Sequence, residues 1–227
     1  NAANRITKFP FASGGTATAG GDLATSAQSY NHAGHSSSEN GYTSGGTDSA
    51  YINMIQKFPF AADTNAADVG DLLVAIFGAT GHSSPEYGYT TGGIDPVAVA
   101  NTIQKFPFAA DGNSTDVGDL VTAKFYGVGL NSDTAGYFAK GSPFLNTVEK
   151  FSFVSDENAS SIGNLVFGAT SGAGASSTSS GYTIGGWVNT PATQTTAIDK
   201  FSFSTDSDAA SVGNLVEAAR NNSGCQY

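Results

Sequence analysis

The chain has 227 residues, 39% hydrophobic and 12% charged, with 29 glycines, one cysteine and a formal net charge of −10. This is enough apolar chain for one or two globular domains and argues against disorder, while nine basic residues against 19 acidic ones leave out the basic surface that nucleic-acid phosphates require. No run of about 18 apolar residues marks a membrane span, no basic start followed by an apolar stretch marks a signal peptide, and Cys225 has no second thiol for an internal disulfide or a zinc site.

A motif of the form [IV]-x-K-F-x-F opens the chain as Ile6-Thr7-Lys8-Phe9-Pro10-Phe11 and returns at 55–60, 103–108, 148–153 and 198–203. It is short, aromatic and bounded by Asp, Asn, Ser and Gly, which predicts a strand followed by a turn. Twelve residues after each first Phe stands Gly-Asp/Asn-Leu, at Gly21, Gly70, Gly118, Gly163 and Gly213. The apolar, β-branched stretches that contain it, Val69–Phe77, Val117–Phe125 and Ile162–Phe167, predict a second strand. Two more short strands joined by a polar turn are predicted at Gly-His-Ser-Ser (34–37 and 81–84) and at Gly-Tyr (Gly41-Tyr42, Gly88-Tyr89, Gly136-Tyr137, Gly181-Tyr182). Three of the Gly-Tyr copies run on into a glycine pair, at 45–46, 92–93 and 185–186.

The Lys-Phe pairs are 49, 48, 45 and 50 residues apart, a period that indicates a repeat architecture. Helical periodicity is absent and Gly, Ser and Thr oppose it, so the chain reads as all-β, a single repeat domain over 1–227. Its units are 1–40 (partial), 41–87, 88–135, 136–180 and 181–227. Four short antiparallel strands per unit of about 48 residues match the blade of a β-propeller, and five blades need roughly 240 residues. Only four Gly-Tyr strands exist, so one blade is a strand short. A partner chain or further residues would supply it, because an open edge is a template for another strand; otherwise one blade has three strands.

The Gly-Tyr-Thr-Ser-Gly-Gly segment, followed by Ile-x-Lys-Phe-Pro-Phe-Ala-x-Asp and Asp-Val-Gly-Asp-Leu, resembles the Kelch-like repeats in virion proteins of aquatic tailed bacteriophages, including cyanophages. The likeness covers nearly the whole chain. It implies a Kelch-like propeller in which the glycine pair ends the inner strand, and a structural or adhesive role in a tail or fibre. The Trp and Arg positions of Kelch repeats are not matched.

Asp63, Asn65, Asp68, Asp111, Asn113 and Asp116 are hard oxygen ligands at spacings a calcium loop uses, yet Asp and Asn also cap turns. Copies four and five carry Ser161, Asn164, Ser211 and Asn214 where the later acids stood, which favours capping and no metal. The three histidines, His32, His35 and His82, neighbour no nucleophile elbow, and the repeated placement of two of them favours a structural role. Among Glu39, Glu86, Glu149, Glu157 and Glu217, no acid breaks the repeat as a glycosidase pair would require. The repeated lysines, Lys8, Lys57, Lys105, Lys150 and Lys200, read as structural rather than as a binding ring.

Aromatic residues that depart from the repeat are the better binding candidates: Trp187, Tyr51, Tyr126 and Phe144, with Tyr30 and Tyr227. Trp187 opens the polar stretch 187–196, the longest inter-motif loop and a place where recognition concentrates. The expectation is a non-enzymatic virion protein without cofactor that contacts other virion proteins or itself and host surface glycan, and neither nucleic acid nor membrane. The alternatives are a secreted glycan-binding propeller or filament subunit assembling by strand complementation and, more remotely, a glycoside hydrolase. The location is virion or extracellular.

Overall fold

The computed structural model describes residues 4–10, 14–25, 30–221 and 224; Phe11, Cys225 and Tyr227 lie outside them. The described residues form twenty strands and no helix. An antiparallel pair, β1 (Arg5–Lys8) and β2 (Thr18–Asp22), comes first. Four antiparallel four-stranded meanders follow. Sheet one holds β3 (Ala33–Ser36), β4 (Asn40–Ser44), β5 (Met54–Pro59) and β6 (Ala67–Asp71). Sheet two holds β7 (Thr80–Ser83), β8 (Tyr87–Thr91), β9 (Thr102–Pro107) and β10 (Thr115–Asp119). Sheet three holds β11 (Val128–Asn131), β12 (Ala135–Ala139), β13 (Thr147–Ser152) and β14 (Ser160–Asn164). Sheet four holds β15 (Ala173–Ser176), β16 (Ser180–Ile184), β19 (Ala197–Ser202) and β20 (Ala210–Asn214), with a hairpin of β17 (Trp187–Val188) and β18 (Thr193–Gln194) inserted.

Each sheet begins at the Gly-His-type strand, so unit boundaries drawn at Gly-Tyr fall between its first two strands. The turn between those strands repeats as well: the hydroxyl of Ser37 accepts from the amides of Glu39 and Asn40, and Ser84, Ser132 and Ser177 do the same. A serine side chain thereby substitutes for a backbone partner in a tight turn. Gly-Tyr carries glycine because the chain pairs beneath a phenylalanine. A Cβ on Gly41 would strike the ring of Phe58, and Gly88, Gly136 and Gly181 meet Phe106, Phe151 and Phe201 in the same way.

The second strands differ from expectation. They end at Asp71, Asp119 and Asn164 instead of running to Phe77, Phe125 and Phe167. In sheet one the register slips between Ile55 and Gln56, placing two residues of β6 against one, a bulge that turns the chain away. Leu72 and Ile76, 2% and 0% exposed, then plug the core while Leu73 and Val74 between them stay exposed. The apolar run serves as a capped loop that reaches toward the next sheet.

The core lies between consecutive sheets. Tyr42, Ile55, Leu72 and Ile76 of sheet one cluster with Ala100, Phe106 and Phe108 of sheet two, and Tyr89, Ile103 and Leu120 cluster with Phe138 and Phe151 of sheet three. Three of the four Gly-Tyr tyrosines stack on the second phenylalanine of the following unit: Tyr42 on Phe108 at 4.6 Å, Tyr89 on Phe153 at 4.8 Å and Tyr137 on Phe203 at 4.6 Å. Burying such a ring contributes about 1.5–3 kcal/mol.

Polar ties repeat across the same boundaries. The variable residue of [IV]-x-K-F accepts from the loop after the preceding unit's last strand. Gln56 takes Ala24 N at 2.6 Å, Gln104 takes Leu73 N at 2.8 Å and Glu149 takes Val121 N at 2.8 Å. Glu149 also binds Lys124 at 2.9 Å, both side chains being essentially without solvent; burial pulls the Lys124 amine down, and the Glu149 charge partly opposes this. In sheet four the position is Asp199, whose carboxyl burial pushes up, with Lys140 opposing.

Candidate functional site

The first strands of the sheets approach one another so closely that only glycine fits. A Cβ on Gly81 would collide with the Gly34 carbonyl; Gly129 meets Gly81, Gly174 meets Gly129 and Gly224 meets Gly174 in the same way. Three residues before each of these glycines stands Asn31, Gly78, Tyr126, Ser171 or Asn221, all with positive φ between 53° and 67°. Backbone bonds join these positions in sequence: Gly78 N–H to Asn31 O at 3.3 Å, Tyr126 to Gly78 at 2.9 Å, Ser171 to Tyr126 at 2.9 Å and Asn221 to Ser171 at 2.7 Å. All five positions line one open cavity of about 660 Å³, with His32 and Arg220. The five glycines line a second cavity of about 420 Å³, with His35 and His82.

His35 and His82 are buried ties between units. His35 Nδ1–H donates to the carbonyl of His82 at 3.0 Å, and Nε2 accepts from the Ser44 hydroxyl at 2.8 Å. His82 donates to Leu130 O at 3.3 Å and accepts from Thr91 at 2.9 Å, the carbonyl partners fixing the tautomers. Burial lowers His35 to about 4 and His82 to about 3 against these backbone bonds. His32 is lowered as well, chiefly by burial. Its Nδ1 donates to Gly45 O at 2.6 Å, which leaves Nε2, at the larger cavity, as a buried acceptor without a partner.

The aromatic residues that break the repeat gather near that cavity. Tyr126 holds φ at 53° where asparagine, glycine and serine hold the same turn, an uncommon conformation for a large side chain. Its hydroxyl accepts from Asn31 Nδ2 at 3.4 Å, and its ring meets Phe77 at 6.0 Å and Phe125 at 4.9 Å. Tyr51 meets Phe77 at 4.7 Å, and Tyr30, 60% exposed, pairs through its backbone with Thr47. Trp187 lies under the guanidinium of Arg220 at 4.5 Å. Phe144 stands apart, in a groove of about 430 Å³ with Phe167 and the 188–195 segment, which forms the β17–β18 hairpin instead of a plain loop. Phe77, Asn31 and Arg220 join this group although the repeat pattern does not single them out; Arg220 is marked only as one of two arginines in the chain.

The oxygen ligands weighed for calcium are engaged elsewhere. Asp63 pairs with Lys8, and Asp111 with Lys57 at 2.9 Å. Asn65 accepts Asp22 N at 3.1 Å and Asn113 accepts Asp71 N at 2.9 Å, while Asp68 and Asp116 cap Gly70 and Gly118. Among the described residues no group of three such side chains converges. Four of the five repeated lysines reach across a unit boundary to the aspartate at the equivalent position: besides Lys8 and Lys57, Lys105 binds Asp156 at 2.9 Å and Lys150 binds Asp206 at 3.7 Å, while Lys200 lies over the Tyr182 ring at 5.7 Å. Glu39 and Glu86 are exposed in their turns. No protein-family model matches this chain, and no curated protein is significantly similar to it.

Proposed function

We propose that the chain is a five-unit, Kelch-like β-propeller acting as a non-enzymatic structural and adhesive protein, a virion component of a tailed phage, with the Tyr126–Arg220 mouth contacting surface glycan. The observation that carries this reading is the sharing of one cavity by equivalent positions of five successive units, Asn31, Gly78, Tyr126, Ser171 and Asn221. Five-fold arrangement about an axis brings every unit to one opening, and the mouth of such a scaffold is where variable side chains meet ligands. Tyr126 lines this opening, with Phe77 and Tyr51 in ring contact behind it and Trp187 beneath Arg220, so the aromatic group for sugar stacking is centred on Tyr126, and Asn31, His32, Ser171 and Arg220 offer polar groups to hydroxyls. Asp63, Asp111, Asp156, Asp206 and Glu149, by contrast, are taken up by ion pairs between units, and Glu39 and Glu86 stand in exposed turns, which supports adhesion over hydrolysis.

An array of bacterial surface polysaccharides, read for retention and for released reducing ends, tests the proposal. Retention of at least one glycan without product, weakened roughly tenfold by Trp187→Ala or Arg220→Gln as expected for loss of one stacking or charged contact, supports it. Absence of retention, or release of product, overturns it.

A further inference from the structure

We infer that the groove between sheets three and four is a second binding site, built for an uncharged sugar by Phe144, Phe167 and the polar side chains of the β17–β18 hairpin. It forms where the repeat is broken twice in succession. The segment joining the second and third strands of a sheet is 45–53 in sheet one and 92–101 in sheet two. In sheet three it shrinks to 140–146, which carries Phe144, and in sheet four it grows to 185–196, which carries the hairpin. Both departures line the same groove of about 430 Å³.

The rings in this groove are uncommitted. Tyr51, in the corresponding segment of sheet one, is covered by Phe77 at 4.7 Å, whereas the residue at the place of Phe77 in sheet three is Thr170. Among the described residues neither Phe144 nor Phe167 makes a ring contact or joins a buried cluster, and Phe167 is 54% exposed. Phe144 holds φ at 60°, a conformation bulky side chains rarely adopt and one that gathers at binding sites. Its carbonyl lies where a Cβ on Gly168 would be, so the tight approach of the two segments fixes it there.

The polar lining is uncommitted too. Of its side chains only Thr195 makes a hydrogen bond among the described residues, accepting from Ala197 N at 3.1 Å; Asn189, Thr190, Thr193 and Gln194 make none. No lining residue is charged, in a chain of net charge −10. Ring faces beside free amides and hydroxyls fit a sugar, whose C–H face stacks on an aromatic ring while its hydroxyls pair with the polar groups. A hydrocarbon ligand would bury those groups without partners, and a charged one would find no counter-charge. The groove shares no lining residue with the larger cavity, so the inference stands apart from the glycan reading of that cavity.

The test is a saturation-transfer NMR titration of the full chain with the methyl glycosides of glucose, galactose, mannose and N-acetylglucosamine, and with glucuronic acid and glucosamine as charged counterparts. Saturable binding of at least one uncharged glycoside is expected, about three- to tenfold weaker in Phe144→Asn and in Asn189→Ala, as for loss of one stacking or one hydrogen-bonding contact. Asparagine removes the ring yet accepts positive φ, and Asn189 is exposed, so both variants keep the fold. Arg220→Gln, at the larger cavity, leaves this binding unchanged. No binding by any of the uncharged glycosides, preference for the charged forms, equal binding by both groove variants, or weakening by Arg220→Gln instead overturns the inference. So does uptake of the apolar dye Nile red that Phe144→Asn abolishes and the glycosides fail to displace.

Discussion

Acidification should weaken this fold through the two buried imidazoles. His35 and His82 are held neutral, at about 4 and about 3 against an ordinary 6.5, so between these values the unfolded chain takes up protons that the folded chain refuses. Their contribution is complete above pH 6.5 and is lost as pH falls toward the folded values. At pH 5 the loss is about 2 kcal/mol for each ring, or about 4 kcal/mol together, at 1.36 kcal/mol per unit. That is a large part of a typical domain's stability. Ordinary carboxylates titrate near 4, below this window. The assay is urea unfolding followed by Trp187 fluorescence and circular dichroism at pH 7, 6 and 5, comparing wild type with His35→Leu/His82→Leu. Leucine is admissible because Leu130 fills the same repeat position, 2% exposed. Ser44 keeps Thr90 as a partner at 2.7 Å, and Thr91 is free to turn its one hydroxyl proton to the Thr80 carbonyl, 3.2 Å away. The double variant should show a much shallower decline, the remainder coming from His32. Asp199, whose raised carboxyl works in the opposite direction, is common to both proteins and cancels. A wild type flat between pH 7 and 5, or a variant that falls as steeply, would refute the reasoning.

Three further outcomes are expected. Gly81→Ala, whose methyl meets the backbone of Gly34, should cost about 2–3 kcal/mol in urea unfolding, whereas Gly34→Ala, which faces open space, should leave the midpoint at or near wild type. Lys124→Met strands the buried Glu149 and should cost about 3–5 kcal/mol. Adding Glu149→Gln should restore most of that loss in a double-mutant cycle, because Gln56 and Gln104 occupy the same repeat position. Lys57→Ala removes an ion pair whose acid is 57% exposed, and should shift stability by no more than about 1 kcal/mol, less in high salt.

Much of the fold was legible because the repeat writes the same local chemistry several times. The glycine of Gly-Tyr, the polar turn before it and the Lys-Phe-x-Phe pattern each identify an element by backbone geometry and alternation, which depend on near neighbours. The second strands were misread at Leu72 to Phe77 because an apolar run looks alike whether it pairs as a strand or folds back as a plug; a bulge at Gly70 decides between them, and it is set by pairing with β5. Of the binding candidates, Tyr51, Tyr126 and Trp187 were found as departures from the repeat, but that Tyr51 reaches Tyr126 through Phe77, and that Trp187 stacks with Arg220 while Phe144 lies elsewhere, follows from how sheets pack. Spacing and local propensity suffice for an all-β chain of repeated units, and for Asp68 and Asp116 as caps of their own turns. Which Asp answers which Lys, why Gly81 must be glycine, and which aromatic residues gather beside one cavity depend on packing between sheets, because the groups that meet stand some 40 to 100 residues apart and come together only when one sheet is laid against the next.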